Sequence, residues 1–488
     1  MNILLIMTDQ YRWDYTGYSG MGKMATPNID RIAGSAAFSL CQTANPVCTP
    51  ARCALLAGRY TRQIHMQSMS GDLSHAIRTF PQALQSAGYH TMASGKMHLV
   101  QPWGWGDYPL HPEKHIMDLV ALKPEIMKYG FHRLWESSGK QIVDHNRCDY
   151  AVHLENKGLY KQYIEAAKAA RVNYWKADSP DNEGFAAVVP DEDYIDVVTC
   201  DNMIEFLEER PKDKPFFGFC SFCSPHKPFD PPQSYLDRVP YEEIDDFLPG
   251  PDGQVMTEEE KKAMYRRRRH YKAMILLLDD QVGRLFDYLE TNNLLENTAV
   301  MFTADHGEMM GDHFQVQKMS PFKASSTIPL AIRHPDHLNA VVNNSPVELT
   351  DLTATVLDIA GLDPHKALSF SWPRYNDKIP GLSLMPVIRG EADRVREFSY
   401  TEYYSGGWPY GDWQMLQTED MKYIKTISTP SPDVIVEQLY DLTNDPDELV
   451  NVADNPEYHD RLEWFRRRRA YLQDQTPPVQ TKWAPVLY

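Results

Sequence analysis

Residues 45–60 read NPVCTPARCALLAGRY, and this stretch predicts a loop that runs into a helix around which the rest of the fold is arranged. Pro50 suits a first helical turn because its fixed φ and missing N–H are tolerated there. Residues 51–57 favour helix propagation, and Gly58 is a favourable C-cap. The pattern therefore predicts that Cys48 lies just before a helix N-terminus, where backbone N–H groups favour negative charge.

Cys48 has two interpretations at this position. Arg52, about one helical turn further on, can reach back to it, and a cysteine in such an electropositive setting is a candidate reactive group. The alternative is a small buried cysteine that only packs in the turn.

Charge and cysteine usage restrict the partners. The 488 residues carry a net charge of −18, which makes nucleic acid and anionic membranes poor partners and requires a locally basic pocket for any anionic substrate. The seven cysteines show no complete metal-ligand or disulfide pattern, which indicates a reducing compartment.

The first residues predict a buried strand and no export signal. Residues 1–7, MNILLIM, lack a basic start and a small-residue cleavage site, and they run directly into Thr8. No apolar run is long enough to span a bilayer. We therefore expect a cytoplasmic protein whose substrate enters the cell first.

Polar side chains follow two apolar runs that predict buried parallel strands. Asp9 and Gln10 follow the first strand, and Asp305 and His306 follow the strand predicted at 298–304. Ligands gather at the carboxyl ends of parallel strands, and an oxygen-rich set with one nitrogen suits Ca²⁺, Mg²⁺ or Mn²⁺. The alternative for Asp9 is an ordinary turn cap.

Two further strand ends carry titratable groups. Lys96 and His98 follow the strand predicted at 89–94, and in an extended segment both point to one face, as an oxyanion and proton-transfer site needs. His226 follows a buried, Phe-rich strand at 215–222. The alternatives are an exposed lysine, a capping histidine and a structural histidine.

These motifs carry a family resemblance over nearly the whole chain. Cys48-Thr49-Pro50-Ala51-Arg52, with Leu55 to Tyr60 after it, resembles the Cys-x-Pro-x-Arg signature of the type I sulfatases. Other elements also resemble the family and follow in its order: Gly95-Lys96-Met97-His98, His226-Lys227-Pro228, Asp305-His306-Gly307 and the ending from Leu439 to Glu448.

The resemblance implies a fold and a domain division. The fold class is α/β, an alkaline-phosphatase-like sandwich around a large mixed sheet, with a smaller C-terminal α+β domain. We expect a catalytic domain over 1–390, with an insertion at about 102–190 that shapes substrate access, and a C-terminal domain and tail over 391–488. The alternation of buried strands and helices agrees with this class.

The resemblance also implies the cofactors. Cys48 is expected to be oxidised by a maturation enzyme to formylglycine, whose hydrate attacks the sulfur of a sulfate ester. Calcium is the expected metal, with magnesium and manganese as alternatives. The implied ligands are Asp9, Gln10, Asp305, His306 and residue 48.

The same comparison of motifs implies the catalytic roles. Arg52 steadies the hydrate, and Lys96 and Lys318 neutralise the sulfate oxygens. His226 protonates the leaving alcohol, and His98 takes the proton that allows sulfate to leave.

Two lysines, Lys318 and Lys323, are candidates for the family's last catalytic position. Lys318 takes the family's place when residues are counted back from the following strand, so Lys323 needs another role. Our hypothesis is that Lys323 binds a second anionic group of the substrate; the alternative is an exposed lysine.

The predicted function is hydrolysis of a sulfate monoester of a small sulfated sugar or metabolite. Alternatives are a phosphonate monoester or phosphodiester hydrolase of the same superfamily, a choline sulfatase, and an inactive binding protein that retains the fold. The expected partners are the sulfate ester and the maturation enzyme, without nucleic acid or membrane, and an oligomer is left open.

Overall fold

The structure is a computed structural model, and it describes most of the chain. The described residues are 1–69, 71–100, 117–172, 184–241, 244–250, 253–369, 378–404, 411–428 and 437–479. Two parts of the predicted insertion, up to 116 and over 173–183, and most of the predicted tail lie outside the described residues.

A large mixed sheet forms the centre of the larger, N-terminal part of the chain. In chain order the first ten strands are β1 Asn2–Asp9, β2 Ala36–Gln42, β3 His90–Gly95, β4 Met117–Asp118, β5 Arg133–Glu136, β6 Asn146–Arg147, β7 Phe216–Pro225, β8 Thr298–Ala304, β9 Thr327–Arg333 and β10 Val341–Glu348. The eight-stranded sheet has the order β10-β2-β9-β8-β1-β7-β3-β5, while β4 and β6 pair with each other. This confirms the predicted α/β class with a large mixed sheet.

Five neighbouring strands, from β8 to β5, run parallel. The central strand β1 is buried along its whole length, and its Ile3 lies opposite Phe217 on one side and Ala299 on the other. Apolar side chains on both faces are what a strand covered on both sides requires. The carboxyl ends of these parallel strands therefore meet along one edge of the sheet.

The described residues also form fourteen α-helices, some of which pack on this sheet. In chain order they are α1 Pro27–Asp30, α2 Cys48–Ala57, α3 Phe80–Ser86, α4 Leu119–Met127, α5 Asp149–Lys157, α6 Tyr160–Val172, α7 Ile195–Glu209, α8 Gln233–Leu236, α9 Glu258–Thr291, α10 Lys323–Ser326, α11 Leu349–Ile359, α12 Pro364–Leu368, α13 Met385–Ile388 and α14 His459–Gln475. Helices α7 and α9 pack on β7, and α2 and α3 pack with α11. Among the described residues, no helix has the length and apolar character that crossing a membrane requires.

Helix α2 begins earlier than the sequence predicts. It starts at Cys48, so the cysteine is the first helical residue and does not precede the helix. Gly58 ends the helix in the left-handed conformation at φ 62°, as predicted, and its N–H binds the carbonyls of Ala54 and Leu55. The thiol therefore stays at the positive end of the helix.

Part of the predicted insertion belongs to the main sheet. Its residues 133–136 form β5, the edge strand next to β3. Lys140, a few residues further on, is buried and donates to Asp230 Oδ1 at 2.8 Å. These contacts anchor the described part of the insertion beside the loop that carries His226.

The C-terminal domain is a smaller antiparallel sheet with one long helix. Its strands are β11 Ser399–Tyr403, β12 Asp412–Gln417, β13 Met421–Ser428 and β14 Glu437–Asp441, paired in that order. Phe465 of α14 stacks on Tyr423 with ring centroids 5.7 Å apart. This small antiparallel sheet with its helix confirms the predicted α+β domain.

Candidate active site

Four strand ends bring the predicted site residues together. Asp9 ends β1 and Asp305 directly follows β8, while Lys96 and His226 directly follow β3 and β7. These four strands are neighbours and run parallel. The edge of the sheet thus places two carboxylates, an ammonium and an imidazole in one region, as expected for an open α/β sheet.

Cys48 lies at the centre of this region. Its Sγ is 3.2 Å from His306 Nε2 and 3.7 Å from Asp9 Oδ1, and Lys318 Nζ donates to it at 2.9 Å. Burial alone raises the pKa of the Cys48 thiol, but Lys318 and Lys96 outweigh burial and hold the pKa well below its ordinary value. Residue 48 is therefore in an environment that stabilises negative charge.

A candidate metal centre is formed by four of the five predicted ligands. One donor atom each from Asp9, Cys48, Asp305 and His306 lies within 4.8 Å of the others, and all four residues are buried. His306 Nδ1 lies 3.0 Å from the Gly307 carbonyl, which only accepts, so Nδ1 carries the proton and Nε2 presents its lone pair. Two carboxylates and an imidazole nitrogen fit a divalent cation.

Gln10 supplies the fifth donor of the predicted set. Its Nε2 donates to Glu308, whereas its Oε1 is buried and has no hydrogen-bond partner among the described residues. A buried amide oxygen without a partner is costly, and a hard cation is the kind of ligand that satisfies it. Gln10 also has φ 68°, a strained value for a residue with a side chain, as is common at functional sites.

Arg52 ties the acidic centre to the sheet. Its Nε donates to Asp305 Oδ2 at 2.8 Å, and one of its terminal nitrogens donates to the Lys96 carbonyl and to Ser221 Oγ. The other terminal nitrogen lies 3.8 Å from Asp9 Oδ2. Arg52 is fully buried, so it compensates two buried carboxylates in addition to lying near Cys48.

Lys96 and His98 occupy the site with different partners. Lys96 Nζ forms an ion pair with Asp9 Oδ2. His98 is not extended as predicted: it has φ 56°, and neither of its buried ring nitrogens has a hydrogen-bond partner among the described residues. Burial and the neighbouring Lys96 lower the pKa of His98 to about 4, so its imidazole is neutral at neutral pH and can accept a proton.

His226 and Lys318 form a contact pair beside Cys48. Lys318 Nζ lies 3.0 Å from His226 Nε2, and His226 Nδ1 lies 2.7 Å from the Lys227 carbonyl. Nδ1 therefore carries the proton, and Nε2 faces the lysine. Burial and Lys318 lower the pKa of His226. Lys318, many residues from the other motifs, thus lies within hydrogen-bonding distance of residue 48, and its role in neutralising sulfate oxygens stays a prediction.

The Lys323 side chain contacts Trp13. Its Nζ is 4.5 Å from the centre of the Trp13 ring, a cation–π contact, and its side chain is partly exposed. The role in binding a second anionic group stays a prediction.

Two residues of the site lacked an assigned role in the sequence analysis. Ser221 Oγ, on β7, accepts a hydrogen bond from Arg52, and the Glu308 carboxylate accepts one from Gln10 Nε2. Glu308 belongs to the Asp305–Glu308 stretch, so its position after a buried strand was a signal for it. No local pattern distinguishes Ser221 from any other strand serine.

Two protein-family models match the chain. The model described as Sulfatase matches residues 1–362, and the model described as N-sulphoglucosamine sulphohydrolase, C-terminal, matches residues 311–475.

Individual proteins are similar over nearly the whole chain. An arylsulfatase of Clostridium perfringens is 28% identical over 96% of this chain and 93% of its own length. An N-acetylglucosamine-6-O-sulfatase of Bacteroides thetaiotaomicron is 27% identical over 94% of this chain and 83% of its own length. Among solved structures, the phosphonate monoester hydrolase of Agrobacterium radiobacter superposes with a TM-score of 0.75 at 22% identity, covering 97% of this chain and 96% of that one. This last similarity concerns the fold.

Proposed function

The chain belongs to the sulfatase family, whose members are sulfuric ester hydrolases, and from this premise we propose that it hydrolyses the sulfate monoester of a small sulfated sugar or metabolite. We propose further that residue 48 acts as formylglycine and that Asp9, Gln10, Asp305 and His306 hold a divalent metal beside it. Calcium is the proposed metal. A maturation enzyme that oxidises Cys48, and a cytoplasmic location, are parts of the same proposal.

One observation carries this proposal. Residue 48 is the point where the acidic donor set and the basic groups meet: His306 Nε2 lies 3.2 Å and Lys318 Nζ 2.9 Å from its Sγ. A nucleophile at this point has the metal ligands on the one hand and cations that can bind sulfate oxygens on the other.

The absent groups supply specific chemistry. A hydrated formylglycine supplies one hydroxyl as nucleophile and a second that drives release, and a bound divalent cation increases the acidity of such a hydroxyl. Asp9, Asp305 and His306 Nε2 fit that cation by their donor chemistry, and Gln10 Oε1 is free to join them.

The chain's own cations bind and orient the ester. Lys318 and Lys96 place positive charge at residue 48, where it can bind the negatively charged oxygens of a sulfate group. Arg52 keeps Asp305 in place and so fixes the acidic side of the site. Burial strengthens each of these interactions because water is excluded.

Two histidines suit the proton transfers. His226 carries a proton on Nδ1, and its Nε2 lies 3.0 Å from Lys318 Nζ. When His226 takes up a second proton on Nε2, this N–H can donate to a leaving alcohol oxygen. His98 is neutral and has unpartnered ring nitrogens, so it suits the acceptance of a proton from residue 48.

The proposed substrate class rests on the relatives. The C-terminal third matches a model described for an N-sulphoglucosamine sulphohydrolase, and one similar protein is an N-acetylglucosamine-6-O-sulfatase. Both descriptions name sulfated amino sugars, which supports a sulfated sugar as the first class of substrate to test.

A second candidate is phosphonate monoester hydrolysis. The structural similarity to a phosphonate monoester hydrolase at a TM-score of 0.75 favours it, since the same fold can hold that substrate. A tetrahedral phosphonate oxyanion would meet the same lysines as sulfate.

The test compares the two esters on one preparation. Mass spectrometry of the peptide that contains residue 48 first establishes formylglycine. Then kcat/KM is measured for an aryl sulfate and for the matching aryl phosphonate monoester, with Cys48→Ala as the blank. A ratio well above one supports the sulfatase proposal, and sulfated amino sugars and choline sulfate follow as substrates. A ratio well below one replaces it with the second candidate.

A further inference from the structure

The segment 318–323, here called the Lys318 segment, connects the active site to the C-terminal domain. Trp413 Nε1, on β12, donates to the Met319 carbonyl at 3.0 Å. The Lys323 backbone N–H donates to Glu448 Oε2 at 2.8 Å. The C-terminal domain therefore binds the backbone of this segment at both ends.

A buried ion pair supplies a third contact to the same segment. Lys422, on β13, pairs with Glu448 and also donates to the Pro321 carbonyl at 3.2 Å. Lys422 is fully buried and Glu448 is 2% exposed. Burying two charges is costly, and their attraction offsets the cost only when geometry and further hydrogen bonds are good. Here those further hydrogen bonds go to the Lys318 segment.

The backbone of the segment is strained next to the catalytic lysine. Met319 has φ 77°, in the left-handed region that a residue with a side chain rarely adopts. Such a conformation is costly and persists only where the surroundings impose it. The Trp413 contact to the Met319 carbonyl is one such constraint, and Lys318 is the preceding residue.

We propose that Glu448 and Lys422 are positioning residues for Lys318: their ion pair holds the Lys318 segment so that Nζ reaches residue 48. The proposal rests on the proposed function in taking Lys318 as a residue that binds the transferred sulfate. It gives a role to Glu448, the last residue of the Leu439–Glu448 motif, which the sulfatase signature alone leaves without one.

The chain contains a matched control. Glu402, on β11, is also a fully buried carboxylate of the C-terminal domain, and its Oε1 accepts the Arg62 backbone N–H at 2.8 Å. Like Glu448, it therefore joins a backbone N–H of the catalytic domain to the small sheet. The segment it holds carries none of the site residues.

The experiment compares Glu448→Gln, Lys422→Met and Glu402→Gln in the full-length protein. Hydrogen exchange measured by mass spectrometry reports the amides of 318–326, and kinetics report kcat and KM for the best ester found for the wild type. We expect at least about tenfold faster exchange in this peptide, and an about tenfold lower kcat/KM, for the first two variants but not for Glu402→Gln.

A double-mutant cycle separates positioning from general loss of stability. If Glu448 acts through Lys318, then Glu448→Gln changes kcat/KM by less than about twofold in a Lys318→Ala background. An undiminished tenfold loss in that background, or an equal effect of Glu402→Gln, overturns the proposal. Unchanged exchange at 318–326 in Glu448→Gln overturns it whatever the substrate is, whereas a wild type without sulfate ester hydrolysis contradicts only the proposed function.

Discussion

Arg52 and Asp305 form a fully buried ion pair in which Nε donates to Oδ2 at 2.8 Å. The pair joins the first turns of α2 to the end of β8, so the element that carries the proposed nucleophile and the element that leads to the proposed ligands Asp305 and His306 share one electrostatic contact.

Removing the guanidinium leaves the carboxylates buried without compensation. We expect Arg52→Met to lower the free energy of unfolding of the metal-free protein by about 3–5 kcal/mol, the usual loss when one partner of a buried pair is removed. Urea unfolding measures this. The control is Arg461→Met, which breaks a largely exposed pair with Asp420 and is expected to change stability by no more than about 1 kcal/mol. Equal losses in the two variants would contradict the prediction.

Replacing Cys48 by serine tests the need for two hydroxyls at residue 48. Serine provides one hydroxyl and can attack the ester, but it lacks the second group that drives release of sulfate. We expect Cys48→Ser to release about one equivalent of alcohol in a rapid burst and then turn over at least about a hundredfold more slowly than the wild type. Rapid-quench kinetics measure the burst. Continuous turnover at the wild-type rate would refute the two-hydroxyl mechanism.

Metal binding should stabilise the folded state. A divalent cation at a free concentration of about 100 times its Kd raises the free energy of unfolding by about 2.7 kcal/mol. We expect calcium to raise Tm in protein treated with a chelator, because Asp9, Asp305 and His306 are grouped only in the folded chain. His306→Ala should lose most of this increase. A Tm that does not respond to calcium, magnesium or manganese would argue against the metal site.

Glu136 should make stability depend on pH. Burial raises the pKa of Glu136 from 4.5 to about 7, even though its carboxylate accepts the N–H groups of Met97 and Ser138. At pH values between 4.5 and about 7, Glu136 is protonated in the folded protein but ionised in the unfolded chain. Stability from this group is therefore fully present below pH 4.5 and falls by about 3 kcal/mol as pH rises to about 7.

The variant Glu136→Gln isolates this contribution. Its neutral amide oxygen can accept both N–H groups without a titration. We expect it to be more stable than the wild type at about pH 8 and similar at about pH 5, as measured by urea unfolding at each pH. The same change of stability with pH in both proteins would show that Glu136 is not the titrating group.

Replacing Lys323 tests whether this residue binds a second anionic group of the substrate. A hydrogen bond to a charged group contributes about 1.5–3 kcal/mol, so Lys323→Ala should lower kcat/KM by roughly tenfold or more on a disulfated sugar but not on an aryl sulfate. The substitution leaves the Lys323 N–H, and with it the Glu448 contact, in place. Lys323→Arg is the control that keeps the charge. An unchanged rate on the disulfated sugar would show that Lys323 does not bind a second anionic group.

The strands that carry the site could be predicted because their residues are apolar runs with polar ends. Strands β1, β3, β7 and β8 all lie within three residues of their predicted bounds. Strands β2 and β10 were missed for a physical reason. The sequence of β2, AAFSLCQ, has little β-propensity, and β10 contains two asparagines and a proline that an edge strand tolerates.

The residues of the site could be predicted better than the contacts between them. Motif by motif, the resemblance identified the residues around residue 48, including Lys318. The contacts of Gln10 with Glu308 and of Arg52 with Ser221 join segments far apart in the chain, and no local pattern encodes such pairs. The same holds for Glu448, whose partner amide lies 125 residues before it.

The sheet order has a consequence for the time at which residue 48 becomes inaccessible during synthesis. Strand β1 leaves the ribosome first, yet its two neighbours are β7, which ends at Pro225, and β8, which ends at Ala304. At ~5–20 residues per second, the central strand waits on the order of 15–60 s for its second partner. Cys48 is only 2% exposed in the finished fold, so the proposed maturation enzyme would have to reach the thiol within this interval. The order of strands would thus determine the time available for the proposed maturation, and slower translation between β1 and β8 would lengthen that time.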